Sequence, residues 1–127
     1  MTTLSVTYPG LPVIIPSARR LVSDVMAASP RVTDIELIAS ELMTNALQHT
    51  TAGQLGGVFT LTISAGSGWA SIEVSDAGDG FWRHEPTSHP ASNEHGRGLM
   101  LVAALADRFG HDADECGQTV WAEVSWQ

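Results

Sequence analysis

The sequence predicts an α/β two-layer sandwich of the α+β type, a mixed and mostly antiparallel sheet with helices on one face. Three observations carry that reading. Strand and helix periodicities come in the order strand, helix, helix, two strands, long loop, helix, two strands. Runs of strands after helices fit helices segregated to one face of a sheet and argue against a doubly wound parallel sheet. The chain has 127 residues, 43% of them hydrophobic, enough for one sizeable core. A single domain over residues 1–127 is expected, and long disorder is not.

Leu4-Ser5-Val6-Thr7-Tyr8 alternates and predicts the first strand. Pro9, Pro12 and Pro16 then punctuate the chain. Leu21, Val22, Val25 and Met26 stand at helical spacing, predicting a first helix from Ser17 to Ala28 that Pro30 ends. Thr33-Asp34-Ile35-Glu36 has the capping-box pattern, in which hydroxyl and carboxylate satisfy free amides at a helix start. The second helix is expected from there to about His49. Phe59, Leu61 and Ile63 alternate with Val58, Thr60 and Thr62, and Gly66-Ser67-Gly68 marks a turn. Ala70, Ile72 and Val74 alternate with Trp69, Ser71, Glu73 and Ser75 in the next strand. A third helix is expected from Leu99 to Asp107, then a weak strand near Phe109, a turn around Gly117 and a strand from Val120 to Val124.

Charge narrows the partners. Six basic residues, all arginine, against 14 acidic ones give a net charge of −8. That balance argues against a nucleic-acid backbone or an anionic membrane surface as the main partner. It leaves room for a nucleotide, which needs only a local site. No apolar run reaches the ~18 residues of a membrane span. No basic residue precedes Arg19, which argues against a secretory leader. The one cysteine, Cys116, excludes an intrachain disulfide and fits a reducing cytosol. It lies beside the acids from Asp112 to Glu115, read as a solvated turn that disfavours a thiolate.

Three places break the apolar patterns. On the second helix Ile35, Ala39, Leu42 and Ala46 share a face, with Ile38 beside them. Glu41, Asn45 and His49 form a polar stripe that drifts about 40° per step towards that face. Such a stripe is either a set of satisfied core polar groups or the wall of a pocket. A carboxylate, an amide oxygen and an imidazole suit a hard cation or a phosphate. The second place is Asp76, which continues the buried parity of Ala70, Ile72 and Val74. A carboxylate there is costly unless hydrogen-bonded. It either caps the turn or accepts a donor from a ligand, such as an exocyclic amine. The glycines of Ala77-Gly78-Asp79-Gly80 permit close approach of a ligand to the backbone. The third is His95-Gly96-Arg97-Gly98-Leu99-Met100, opening the last helix, where free amides and the helix dipole favour an anion. Residues 81–95 before it lack hydrophobic periodicity and read as a lid or binding loop.

In that order the runs Glu41-Leu42-Met43-Thr44-Asn45-Ala46-Leu47-Gln48-His49, Asp76-Ala77-Gly78-Asp79-Gly80 and Gly96-Arg97-Gly98-Leu99 resemble the GHKL ATPase superfamily, also called the Bergerat fold. That superfamily groups gyrase, the ninety-kilodalton heat-shock chaperone, histidine kinases and mismatch-repair ATPases. The small size, Ala18-Arg19 and the short lid look most like anti-sigma-factor serine kinases of the RsbW and SpoIIAB type.

The resemblance implies ATP and Mg²⁺ as ligands. It implies that Asn45 holds Mg²⁺, that Glu41 is the general base, and that His49 lies near the phosphates. It implies that Asp76 accepts the adenine amine, that Gly78 and Gly80 pass beside the base, and that Gly96, Arg97, Gly98 and Leu99 offer amides to the phosphates. It further implies a cytoplasmic serine/threonine kinase that phosphorylates a small anti-anti-sigma domain of the STAS type and sequesters a sigma factor, with Arg19 on the partner surface. The first strand and helix offer an edge for a homodimer. A nucleotide-gated binding module without kinase activity is the alternative, and Glu41 favours the kinase.

The sequence also departs from the family pattern. A glycine often stands where His95 does. Many members place Ser or Thr near the adenine early in the last strand. Here parity with Val120, Ala122 and Val124 turns Gln118 inward and Thr119 outward, and the sequence assigns that role to neither. Phe81 and Trp82 begin the lid with unusual bulk. His84, His89 and His95 are too loosely spaced for zinc and lack a cysteine cluster.

Overall fold

A computed structural model describes residues 1–49, 56–76, 100–114 and 117–126, with His49, Ala113 and Asp114 described by their backbone only. Five strands, β1 (Thr2–Pro9), β2 (Val58–Gly66), β3 (Trp69–Asp76), β4 (Arg108–Asp114) and β5 (Gly117–Ser125), form one sheet in the order β1-β2-β3-β5-β4. All four pairings are antiparallel. Helices α1 (Ile15–Val25) and α2 (Val32–His49) and a short α3 (100–105) supply the second layer. α1 packs on α2, and α2 packs on β3 and β5.

The register lays the inward-facing residues in rows across the sheet. Leu4, Ile63, Ile72, Ala122 and Phe109 make one row, and Val6, Leu61, Val74, Val120 and His111 the next. Ile35, Ile38, Ala39, Leu42, Met43 and Ala46 of α2, all 0–2% exposed, join the middle of these rows in one core, while Phe109 at the β4 end is exposed. Each fully buried Ile or Leu contributes about 1.5–3 kcal/mol of hydrophobic stabilisation. On the outer face β1 and β2 are laced by hydroxyl pairs: Ser5 to Thr62 at 2.9 Å and Thr7 to Thr60 at 2.8 Å. The Trp69 and Trp121 indoles lie over Gly66 and Gly110, where any side chain would collide with the ring. The β2–β3 turn is Ser67-Gly68, and Gly68 takes φ 77°, a conformation that costs glycine little.

Several boundaries differ from the sequence expectation. α1 starts at Ile15, with Pro16 in its first turn, where a missing N–H costs nothing. It ends at Val25, well before Pro30. α2 starts at Val32, so Thr33 lies inside the helix and the expected capping box is not its cap. Ser29 serves instead: its Oγ accepts from the Arg31 N–H at 3.0 Å, and its carbonyl accepts from Val32 N–H at 3.3 Å. The charges of the predicted box are used elsewhere, Asp34 by Arg31 and Glu36 by Arg19. The expected solvated turn of acids is also narrower, because Asp112 and Asp114 belong to β4, paired with Thr119 and Gly117.

Arg31 ties three elements together. It donates from Nε to Asp34 Oδ2 at 3.1 Å, from Nη2 to the Leu105 carbonyl at the end of α3 at 2.6 Å, and from Nη1 to the Ser125 carbonyl at the end of β5 at 3.1 Å. Asp107, just past α3, accepts from both the N–H and the hydroxyl of Ser125 at 2.7 Å. Those bonds, chiefly the Ser125 hydroxyl, hold the Asp107 carboxyl below its ordinary range.

Candidate functional site

The apolar rows end in a different one. At the Asp76 end of β3 the inward positions are Tyr8, Phe59 and Asp76, in register across β1, β2 and β3. The β3–β5 pair at this end, Ser75 with Thr119, brings Gln118 beside Asp76 on the same face. Strand alternation alone dictates this: the parity that buries Ala70, Ile72 and Val74 carries Asp76 inward, and that of Val120 carries Gln118. Asp76 is 4% exposed and Gln118 5%. The Tyr8 and Phe59 rings lie 5.6 Å apart, and burial raises the Tyr8 phenol above its ordinary value. Aromatic rings, a carboxylate and an amide thus close one end of an otherwise aliphatic face.

Gly117 completes that corner. Its φ of 140° lies in the range side chains avoid, and a Cβ there would sit 2.7 Å from the Asp76 carbonyl oxygen and 3.0 Å from Oδ1. β5 therefore begins hard against Asp76, with no side chain between. His111 of β4, diagonal to Gln118 across the ladder, hydrogen-bonds through Nε2 to Gln118 Oε1 at 2.5 Å. An amide oxygen can only accept, so Nε2 carries the hydrogen. Gln118 does face inward as its parity requires, and Thr119 pairs outward with Ser75. The His111 contact was not foreseen, since it depends on the β4–β5 register.

α2 carries the second group. Glu41 and Asn45 are one turn apart and half-buried at the margin of its apolar face. Their oxygens suit a hard cation. Among the described residues no cluster of three His, Cys, Asp or Glu could hold a metal, so a cation here would need further oxygens, such as those of a phosphate. His49 ends α2, and its side chain lies outside the described residues. So do Gly78, Gly80, Gly96, Arg97, Gly98 and Leu99, the expected lid at 81–95 and Cys116.

A third feature lies on the helical side. Pro16, Arg19, Arg20, Ser23 and Asp24 of α1 and Glu36 of α2 line an open groove of about 450 Å³. Arg19 reaches Glu36 at 3.9 Å.

A family model described as the histidine kinase-like ATPase domain matches residues 9–124, nearly the whole chain. The chain belongs to that family. No curated protein matches it. As a histidine kinase-like ATPase domain, of the GHKL type, it is an ATP-binding regulatory domain. Among its described residues no helix is long and apolar enough to cross a membrane.

Proposed function

We infer that the chain is an ATP-dependent serine/threonine protein kinase of the anti-sigma-factor type, acting in the cytoplasm. It would phosphorylate a small anti-anti-sigma domain and hold a sigma factor. The observation that carries this reading is the pairing of family membership with α2, where Glu41 stands one turn ahead of Asn45 on a helix packed against the strand that ends in Asp76. A domain that only bound nucleotide would have no need of Glu41.

The roles divide by chemistry. Asp76 accepts a hydrogen bond from the adenine amine. The Asn45 amide oxygen ligates Mg²⁺, which when bound offsets charge on the phosphates. Glu41 takes the proton from the acceptor hydroxyl as its oxygen bonds to the γ-phosphorus. The bond from that phosphorus to the β–γ bridging oxygen breaks, and ADP leaves. Positioning and electrostatics supply most of the catalysis in such a transfer. The groove beside Arg19 and Arg20 is the surface offered to the protein partner.

The test is calorimetry with ATP and ADP, with and without Mg²⁺, beside transfer of label from γ-labelled ATP to a panel of anti-anti-sigma domains. Asn45→Ala should weaken Mg-ATP binding itself. Glu41→Ala should leave ATP affinity nearly intact while transfer falls by about 10²- to 10⁴-fold, the usual worth of a general base. If the wild type binds a partner only with nucleotide present and labels none, the gated-module reading replaces the kinase.

A further inference from the structure

α2 and α3 are held to the sheet on different terms. α2 buries six apolar side chains, from Ile35 to Ala46. Over its described residues α3 buries one, Val102. Leu105 and the following Ala106 are partly covered, Ala103 and Ala104 are exposed, and Met100 is 69% exposed. Apolar docking that thin leaves the placement of α3 to its polar contacts.

Those contacts gather at its C-terminal end. The Leu105 carbonyl belongs to the last turn, whose carbonyls a helix cannot satisfy internally, and Arg31 Nη2 supplies the donor. A cation there also meets the negative end of the helix dipole. Arg31 Nη1 holds the Ser125 carbonyl, and Asp107 Oδ2 accepts from the Ser125 N–H and hydroxyl. The Asp107 N–H donates to the Glu123 carbonyl at 2.8 Å. One guanidinium and one carboxylate thus fasten the end of α3 to the end of β5. Neither is sealed from water: the Arg31 side chain is 24% exposed, and Asp107 is exposed. Lysine could not replace the arginine, because an ammonium lacks the planar fork that reaches Asp34, Leu105 and Ser125 together.

We propose that α3, with the residues up to Asp107, is a separately opening unit, and that Arg31 is the latch that holds it docked. In the released state the bonds from Arg31 to Leu105 and Ser125 are broken and Val102 is uncovered, while α2 and the central strands stay folded. The fold then has a conformational switch at one end of the sheet, set by one side chain. The latch requires no ligand, so it stands apart from the ATP-binding reading.

Hydrogen exchange of the full chain, read residue by residue by NMR, tests it. Two amides report on the unit: Ala106 N–H, bonded to the Val102 carbonyl at 2.8 Å, and Asp107 N–H. In the wild type both should exchange at least about tenfold faster than the amides of β2 and β3, because a local opening costs less than global unfolding. Ile63→Val weakens the sheet core, where Ile63 is 1% exposed. It should speed exchange in β2 and β3 by about two- to tenfold and leave Ala106 and Asp107 at the wild-type rate. Arg31→Met keeps an apolar stem and removes every donor. It should speed exchange at Ala106 and Asp107 by about ten- to a hundredfold, the usual worth of a hydrogen bond from a charged group. Arg31→Lys should fall between the wild type and Arg31→Met. Ser125→Ala, which removes the hydroxyl held by Asp107 and leaves Arg31 untouched, should speed the same two amides by less, and it keeps the test open if Arg31→Met does not fold. Wild-type exchange at Ala106 and Asp107 as slow as in β2 and β3 overturns the proposal. So does an Ile63→Val variant that speeds all these amides alike, or an Arg31→Lys variant that leaves Ala106 and Asp107 at the wild-type rate.

Discussion

The inner face of the sheet has two ends built on opposite terms. Around Ile63, Ile72 and Ala122 the neighbours in the row are apolar, and α2 packs on β3 and β5 there. Two rows away, at Phe59, Asp76 and Gln118, the same strands and the same alternation bury an acid and an amide. The aliphatic end gains stability from each residue it hides. The polar end hides groups that water would solvate better, such as the Gln118 amide that His111 meets, at the place where the proposed function seats the base. Under the proposed function, identical backbone geometry serves support at one end and recognition at the other.

This division can be broken by exchanging its consequences. The largest effect should come from Ile72→Ala at the aliphatic end. Ile72 is 1% exposed, and truncation should cost about 2–5 kcal/mol of stability, read by urea unfolding. ATP affinity of the molecules that remain folded should hardly change. Asp76→Asn should do the reverse. Nucleotide affinity should fall by about 1–3 kcal/mol, the penalty for opposing an amine with a donor. Its urea midpoint should stay near that of the wild type. If Ile72→Ala moves affinity as much as stability, or Asp76→Asn spares affinity, the two ends are not separate in function.

A smaller effect sharpens the picture by locating acid sensitivity outside both ends. The Asp107 carboxyl is held below its ordinary range in the folded chain by its bonds to Ser125. Its contribution is therefore fully present above the unfolded carboxylate value near ~3.9 and is lost as pH falls through the lower folded value. Thermal melts between pH 5 and about pH 2 should show a shallower acid loss in Asp107→Asn than in the wild type. Matching slopes would show that the contact at the end of α3 adds nothing to acid lability.

The strands of the aliphatic end were legible because alternation is local: Phe59, Leu61 and Ile63, and Ala70, Ile72 and Val74, announce their faces within a few residues. The same rule made Asp76 stand out, and parity alone turned Gln118 inward. Helix starts were harder. Thr33 and Glu36 imitate a cap, yet Arg31 draws Asp34 aside and Ser29 caps from upstream. Nor could the sequence show that Arg31 reaches carbonyls at Leu105 and Ser125, or that His111 finds Gln118. Those contacts depend on where distant elements dock, and no spacing encodes that. The helical spacing of Glu41 and Asn45 predicts only a shared polar stripe, which the fold keeps as a half-buried pair on α2; their separate roles are what the family resemblance implies.

Strand order has a consequence for how the chain is made. β5 is the last strand in sequence, but it sits between β3 and β4. On the ribosome, β1, β2 and β3 can pair as soon as they emerge. The inner edge of β3 then waits for a partner some 44 residues downstream, the separation of Ser75 and Thr119. Until β5 arrives, the carbonyl of Ser125 that Arg31 grips does not exist, and Asp76 has no Gln118 beside it. The nascent chain thus carries an open edge while those residues are added and acquires the polar corner only when β5 slots in. A quality-control factor that recognises unpaired strand edges would meet this chain after β3 emerges and lose its target when β5 docks.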